Sequence, residues 1–258
     1  METEAIVLEG TNISISLPRE LPQGPYTQTK DVFTFASDHE LDYPDMLKGV
    51  DIKGGMFLSV IGGAEQVFGL IAKTEPEEIV LFDKNPYTVA LMALRLRVLK
   101  EYPEQTYDEY VKKISNLLKG REPLFQTGIQ KADELLEKLV QYTSKPNVPF
   151  HTPQINGDEN GWASKDDFNN LKRILAKVKI SLFCKDWHEV QKDILDNSYP
   201  AVSLIYLSDI PVESSTYERL FSVKFKDREK GKEVTLIEKG DEYKTHKFGG
   251  QKEGLALG

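Results

Sequence analysis

Residues 56–86 read MFLSVIGGAEQVFGLIAKTEPEEIVLFDKNP, and this stretch decides the fold. Its first six residues, 56–61, form a near-continuous apolar run, the pattern of a strand buried on both faces of a parallel sheet. Gly62-Gly63 makes a turn. Residues 65–73 then carry Val67, Phe68, Leu70 and Ile71 on the inner side of a helix. Residues 77–82 (EEIVLF) return as a second strand, with Asp83 at its carboxyl end. Asn85 caps the next helix, and Pro86 takes that helix's first position. A βαβ half-unit of this form suits a nucleotide-like cofactor.

Toward the carboxyl terminus, the spacing predicts helices over 87–99, 107–118, 129–142 and 165–176. A third strand over 178–183 ends in Cys184-Lys185-Asp186-Trp187, and a helix follows over 188–195. A fourth strand over 201–207 ends in Ser208-Asp209-Ile210-Pro211. Segments 219–225 (RLFSVKF) and 233–238 (EVTLIE) read as two further strands, joined as an antiparallel hairpin by a charged turn.

Toward the amino terminus, 5–8 and 12–17 read as a hairpin or edge ribbon around Gly10. A proline-rich loop leads to a polar, aromatic and acidic arm over 26–47, in which Ser37 and Glu40 have cap spacing. The arm either folds over a cofactor or packs its aromatics on the core. The alternation of strands and helices predicts an α/β chain with a doubly wound, mostly parallel Rossmann-like sheet. It carries a helical insertion between strands two and three and a C-terminal antiparallel hairpin. The expected division is a ribbon and arm over 1–50, a cofactor domain over 51–240 with its insertion at 101–177, and a polar, fraying tail over 241–258.

Composition narrows the function classes. The 258 residues are 40% hydrophobic and 29% charged, ordinary for a globular chain. The net charge of -8 offers no chain-wide basic field, so no nucleic acid is expected as a partner. The single cysteine, Cys184, excludes an internal disulfide and a cysteine-rich metal site. The four histidines form neither H-x-x-x-H nor H-E-x-x-H, and no metal is expected. No apolar run approaches the ~20 residues of a membrane helix, and no signal pattern opens the chain. A cytoplasmic protein is expected.

Ligands of doubly wound sheets bind outside the strands' carboxyl ends. Three of those ends carry acids, and the first carries the glycines. Gly62 and Gly63 lack Cβ atoms and let a ligand approach the backbone. Asp83, about 20 residues past the turn, is spaced to accept from both hydroxyls of a ribose. Asp186 can accept from an adenine amino group. Trp187 offers an aromatic face or packs in the core. Asp209 sits where the fourth-strand loop meets a reacting group, or simply ends that strand. His151, in the long 144–161 loop, is a candidate general base or a solvated loop histidine.

The turn is IGGAEQ and not G-x-G-x-x-G, which disfavours a dinucleotide and a nicotinamide-dependent oxidoreductase. No G-x-x-x-x-G-K-[ST] and no G-x-S-x-G occurs. A nucleoside without phosphates fits better, which points to S-adenosylmethionine.

The series FLSVIGGAEQ, VLFDKNP, CKDW and YLSDIP resembles the motifs of class I S-adenosylmethionine-dependent transferases, over residues 26–211. The resemblance implies that the glycine loop at Gly62 and Gly63 borders the methionine portion. It likewise implies that Asp83 binds ribose, that Asp186 meets adenine and that the loop of Asp209 holds the reacting groups. More narrowly, LSVIGGAEQ followed by FDKNPY is similar to the 3-amino-3-carboxypropyl transferases of betaine-lipid synthesis. Glu65, Gln66, Asn85 and Pro86 carry that similarity, which implies Glu65 and Asn85 as cofactor contacts. Residues 26–31 match the segment before their first strand loosely.

Two departures stand out. Ser59 occupies a position where many methyltransferases have an acid, and fewer than 50 residues follow Pro211, so the sheet is either trimmed or completed by the amino-terminal ribbon. The expected activity is transfer of a methyl or an aminocarboxypropyl group to a small-molecule or lipid-like acceptor. A catalytically silent binding module is the alternative.

Overall fold

A computed structural model of the chain describes residues 3–8, 11–32, 34, 52–62, 64–124, 126–148, 165–207, 220–227, 232–239 and 243–249. The fold is α/β, built on one eight-stranded, mostly parallel mixed sheet and compatible with a Rossmann-like arrangement.

In chain order the strands are β1 (Thr3–Val7), β2 (Ile13–Pro18), β3 (Met56–Val60), β4 (Glu78–Asp83), β5 (Lys179–Cys184), β6 (Val202–Tyr206), β7 (Val234–Lys239) and β8 (Tyr243–Phe248). The helices are α1 (Glu65–Thr74), α2 (Pro86–Glu101), α3 (Tyr107–Leu118), α4 (Gln130–Thr143), α5 (Lys165–Leu175) and α6 (Trp187–Leu195). The spatial order is β1-β2-β5-β4-β3-β6-β7-β8. The six strands from β2 to β7 are parallel, and β1 and β8 close the two edges antiparallel.

Alternate side chains of the central strands feed two separate cores, as the period of two requires. Phe57, Ile79, Leu81, Ile180, Leu182, Leu204 and Tyr206 face the cluster built with α1 to α5. Met56, Leu58, Val80, Phe82, Val202, Ile205 and Leu236 face the cluster completed by Trp187, Val190 and Ile194 of α6, with Phe221 and Phe225. The chain winds outward from β3 through β4 to β5, then crosses to β6 on the other side of β3. The reversal falls between β3 and β6.

Local chemistry explains where the helices begin. Asn85 Oδ1 accepts from the Tyr87 N–H at 3.0 Å, with Pro86 supplying a fixed φ at the first position. Thr106 and Glu109 form a reciprocal capping box ahead of α3. Four helices, α2 to α5, lie between β4 and β5, and the last three, α3 to α5, fall in the 101–177 segment expected as an insertion.

Two expectations are corrected. Residues 219–225 do not form a strand: 220–224 are helical. Phe221 and Phe225, four apart, are buried together while Val223 is 64% exposed, so the helical period wins over the alternating one. β7 therefore pairs with β6 in parallel, and its antiparallel partner is β8, drawn from the residues expected to fray as a polar tail. The amino-terminal ribbon completes the sheet, one of the two outcomes expected for it. β2 pairs with β5 in parallel, sealed by the Asn12 side-chain amide on the Val178 carbonyl and by Ser14 Oγ to Ser181 Oγ at 3.2 Å.

Candidate functional site

The carboxyl ends of β3, β4 and β5 lie level, because Val60 is in register with Phe82 and Asp83 with Cys184. The ends of β3 and β6 flank the reversal of strand order, where an open α/β sheet leaves a crevice.

Gly62 follows β3 with φ 51°, in the left-handed region that favours glycine. Ala64, the residue capping α1, has φ 70° and ψ -36°, a conformation that disfavours any residue with a Cβ. The turn closes through the Ala64 N–H on the Ile61 carbonyl at 3.1 Å. It is pinned to β4 by the Ile61 N–H on the Phe82 carbonyl at 2.9 Å.

Asp83 ends β4 beside this turn. Its carboxylate accepts from the Asn85 N–H at 2.8 Å and from the Gly62 N–H. Burial pushes its pKa up to about 6, against the pull of those two donors and of Lys84. A carboxylate has about four lone-pair positions, so two backbone donors leave acceptor capacity for a vicinal diol.

Asn85 is buried and used twice. Besides capping α2, its Nδ2 donates to the Gln28 carbonyl at 3.0 Å. The Lys84 ammonium lies 4.6 Å from the centre of the Tyr26 ring. The arm ahead of β3 is thereby tied to the carboxyl end of β4.

Asp186 caps α6, its Oδ1 accepting from the Glu189 N–H at 2.9 Å while Glu189 Oε2 accepts from the Asp186 N–H at 3.0 Å. The D-W-H-E spacing of this capping box was readable in the sequence. Trp187 is 7% exposed and stacks on Phe82 with ring centres 6.1 Å apart, edge-on to Phe221. Of its two readings, packing in the core is the one observed. Cys184 lies next to Asp83 with its thiol pushed up to about 12, by burial first and by Asp83 and Glu189 second.

Glu65 is 0% exposed and forms an ion pair with Arg95, Oε1 to Nη1 at 2.8 Å. Expected as a cofactor contact, its carboxylate is here buried against Arg95. Arg95 itself was missed in sequence, because an arginine amid ALRLRVL reads as one solvated position on an amphipathic helix. Its neighbour Gln66 accepts from the Tyr206 hydroxyl at the end of β6, joining α1 to the fourth strand's carboxyl end.

Gly62, Asp83, Asn85 and Asp186 thus gather at one end of the sheet. Gly63, His151 and Asp209 lie outside the described residues. Among the described residues no group of three His, Cys, Asp or Glu side chains could hold a metal ion, and no helix is long and apolar enough to cross a membrane. No protein-family model matches the chain, and no curated protein matches it at a significant level.

Proposed function

We propose that the chain is an S-adenosylmethionine-dependent transferase, with methyl as the group moved, built on a doubly wound Rossmann-like sheet. The observation that carries this reading is the Gly62–Asp83 contact. An acid with spare acceptor capacity stands one hydrogen bond from a left-handed glycine, beside the reversal of strand order. In this reading Asp83 receives the ribose hydroxyls and the turn at Gly62 accommodates the methionine portion. Asp186 retains an oxygen for the adenine amino group after capping α6.

When bound, the cofactor supplies a carbon on a sulfonium sulfur, which an acceptor's nucleophile attacks as the thioether leaves. The protein's own contribution is proximity and alignment at the crevice. Asp209 and His151 remain the candidates for holding the acceptor and removing its proton. The acceptor is a small molecule or lipid-like, and the compartment is the cytoplasm.

Calorimetry with S-adenosylmethionine, S-adenosylhomocysteine, methylthioadenosine and NAD tests the proposal. Binding of the adenosyl ligands and not of NAD supports it; no binding of any adenosyl ligand would sink it. Product analysis then separates the two transfers: S-adenosylhomocysteine reports methyl transfer, methylthioadenosine aminocarboxypropyl transfer.

A second reading, binding without turnover, has one observation in its favour. The described acids at the crevice, Asp83 and Asp186, are both engaged by backbone N–H groups, and the Cys184 thiol is held un-ionised. Binding with no product over a broad acceptor panel would favour it.

A further inference from the structure

Arg95 is the largest fully buried side chain of the described residues, in the middle of α2. It reaches two other elements. Nη1 holds Glu65, the first residue of α1 directly beyond the glycine turn. Nη2 donates to the Thr34 carbonyl in the arm that precedes β3. Its charge also acts on the buried phenols of Tyr107 and Tyr110 of α3, both raised, chiefly by burial. One guanidinium therefore joins the helix of the glycine turn and the arm.

A buried ion pair is weak evidence for stability, since desolvation opposes the attraction and apolar replacement is often neutral. A planar fork with fixed directions is better explained by what it orients. The arm is held at two further points near the crevice, by Asn85 on the Gln28 carbonyl and by Lys84 on the Tyr26 ring. Asn85 lies two residues beyond Asp83, so the Tyr26–Gln28 end of the segment connects to the carboxyl end of β4.

We propose that Arg95, through Glu65 and the Thr34 carbonyl, is a positioning residue that locks residues 26–32 and Thr34 in one placement relative to Gly62 and the start of α1. Adenosyl-ligand affinity then depends on a side chain that cannot touch the ligand. This rests on the reading of the crevice as an S-adenosylmethionine site. Linkage runs both ways: ligand that favours the ordered arm must itself be favoured by it.

The test combines Arg95→Lys, Arg95→Met and the double variant Glu65→Leu/Arg95→Met, which removes both charges and strands neither. Amide hydrogen exchange over 26–34 is compared with exchange in β3 and β4, with no ligand present. Calorimetry with S-adenosylhomocysteine follows. The double variant is expected to lose protection in the arm selectively, with the strands unchanged, and to bind about tenfold more weakly. Arg95→Lys, which keeps the charge beside Glu65 and loses the fork, is expected to fall between it and the wild type.

Wild-type arm protection in the double variant would overturn the proposal, whatever the ligand result. Uniform loss of protection across arm and strands would overturn it as well, by assigning the pair to general stability. If the wild type binds no adenosyl ligand, the function fails, and the exchange comparison still decides whether the pair locks the arm. If Arg95→Met does not fold, the double variant and Arg95→Lys carry the comparison.

Discussion

The carboxylate of Asp83 accepts a hydrogen bond from the backbone N–H of Gly62, so the acid closing the second parallel strand fixes the turn that leaves the first. Two positions about 20 residues apart in sequence become one polar surface.

Asp83 sets a pH dependence. Folding raises it from an ordinary 3.8 to about 6, chiefly by burial, so the folded chain holds this proton more tightly than the unfolded one. Stability therefore falls as the pH climbs from about 4 to about 6 and is level above, a contribution of at most about 3 kcal/mol. Asp83→Asn removes this slope. Urea titrations across that range check it, and equal slopes in the two proteins would refute it. Ligand affinity runs the other way, because an ionised carboxylate is the better acceptor for ribose hydroxyls. It rises as the pH climbs through about 6, and Asp83→Ala weakens binding sharply at neutral pH.

Gly62→Ala places a Cβ in the left-handed region. The expected cost is about 1–2 kcal/mol of stability, read by denaturant unfolding, together with weaker adenosyl-ligand binding. A variant as stable as the wild type would mean that the turn relaxes to another conformation.

Asp186 has a structural duty separable from a ligand duty. Asp186→Ala removes the cap of α6 and should cost about 1 kcal/mol, whereas Asp186→Asn preserves it. If Asp186 also receives an adenine amino group, Asp186→Asn binds more weakly at unchanged thermal stability. Wild-type affinity in Asp186→Asn would leave this residue a cap alone.

Cys184 should be a poor nucleophile. With its thiol at about 12, roughly one molecule in ten thousand carries a thiolate at pH 8, far fewer than for a free cysteine. Slow alkylation by iodoacetamide at that pH, accelerating only in strong base or on unfolding, is the expected result. Rapid labelling of the native protein would refute a raised thiol.

The sequence carried the central architecture because its strands are apolar runs bounded by breakers, and its caps have fixed spacing. Asn85-Pro86 and Thr106–Glu109 are local signals and survive folding unchanged. What it hid was non-local or doubly periodic. RLFSVKF satisfies a strand and a helix equally until Val223 must choose a face. YKTHKF lacks the apolar look of a strand because it lies on a sheet edge, where lysines discourage further pairing. The meeting of Gly62 with Asp83 was legible from their place at adjacent strand ends. The Glu65–Arg95 pair was not, because partners 30 positions apart on different helices leave no pattern.

The seam between β2 and β5 gives the chain a timetable. Asn12 and Val178, which bond across it, are 166 positions apart. On a ribosome adding about 5–20 residues per second, the ribbon emerges on the order of ten seconds before its partner exists. A two-stranded hairpin is marginal alone in water, so Ile13 and Ile15, both buried in the finished fold, wait exposed through the synthesis of β3, α1 and β4. This ribbon, made well before β5, finds its place only once β5 exists. Its waiting edge is where a chaperone, or an unwanted second chain, has longest to act.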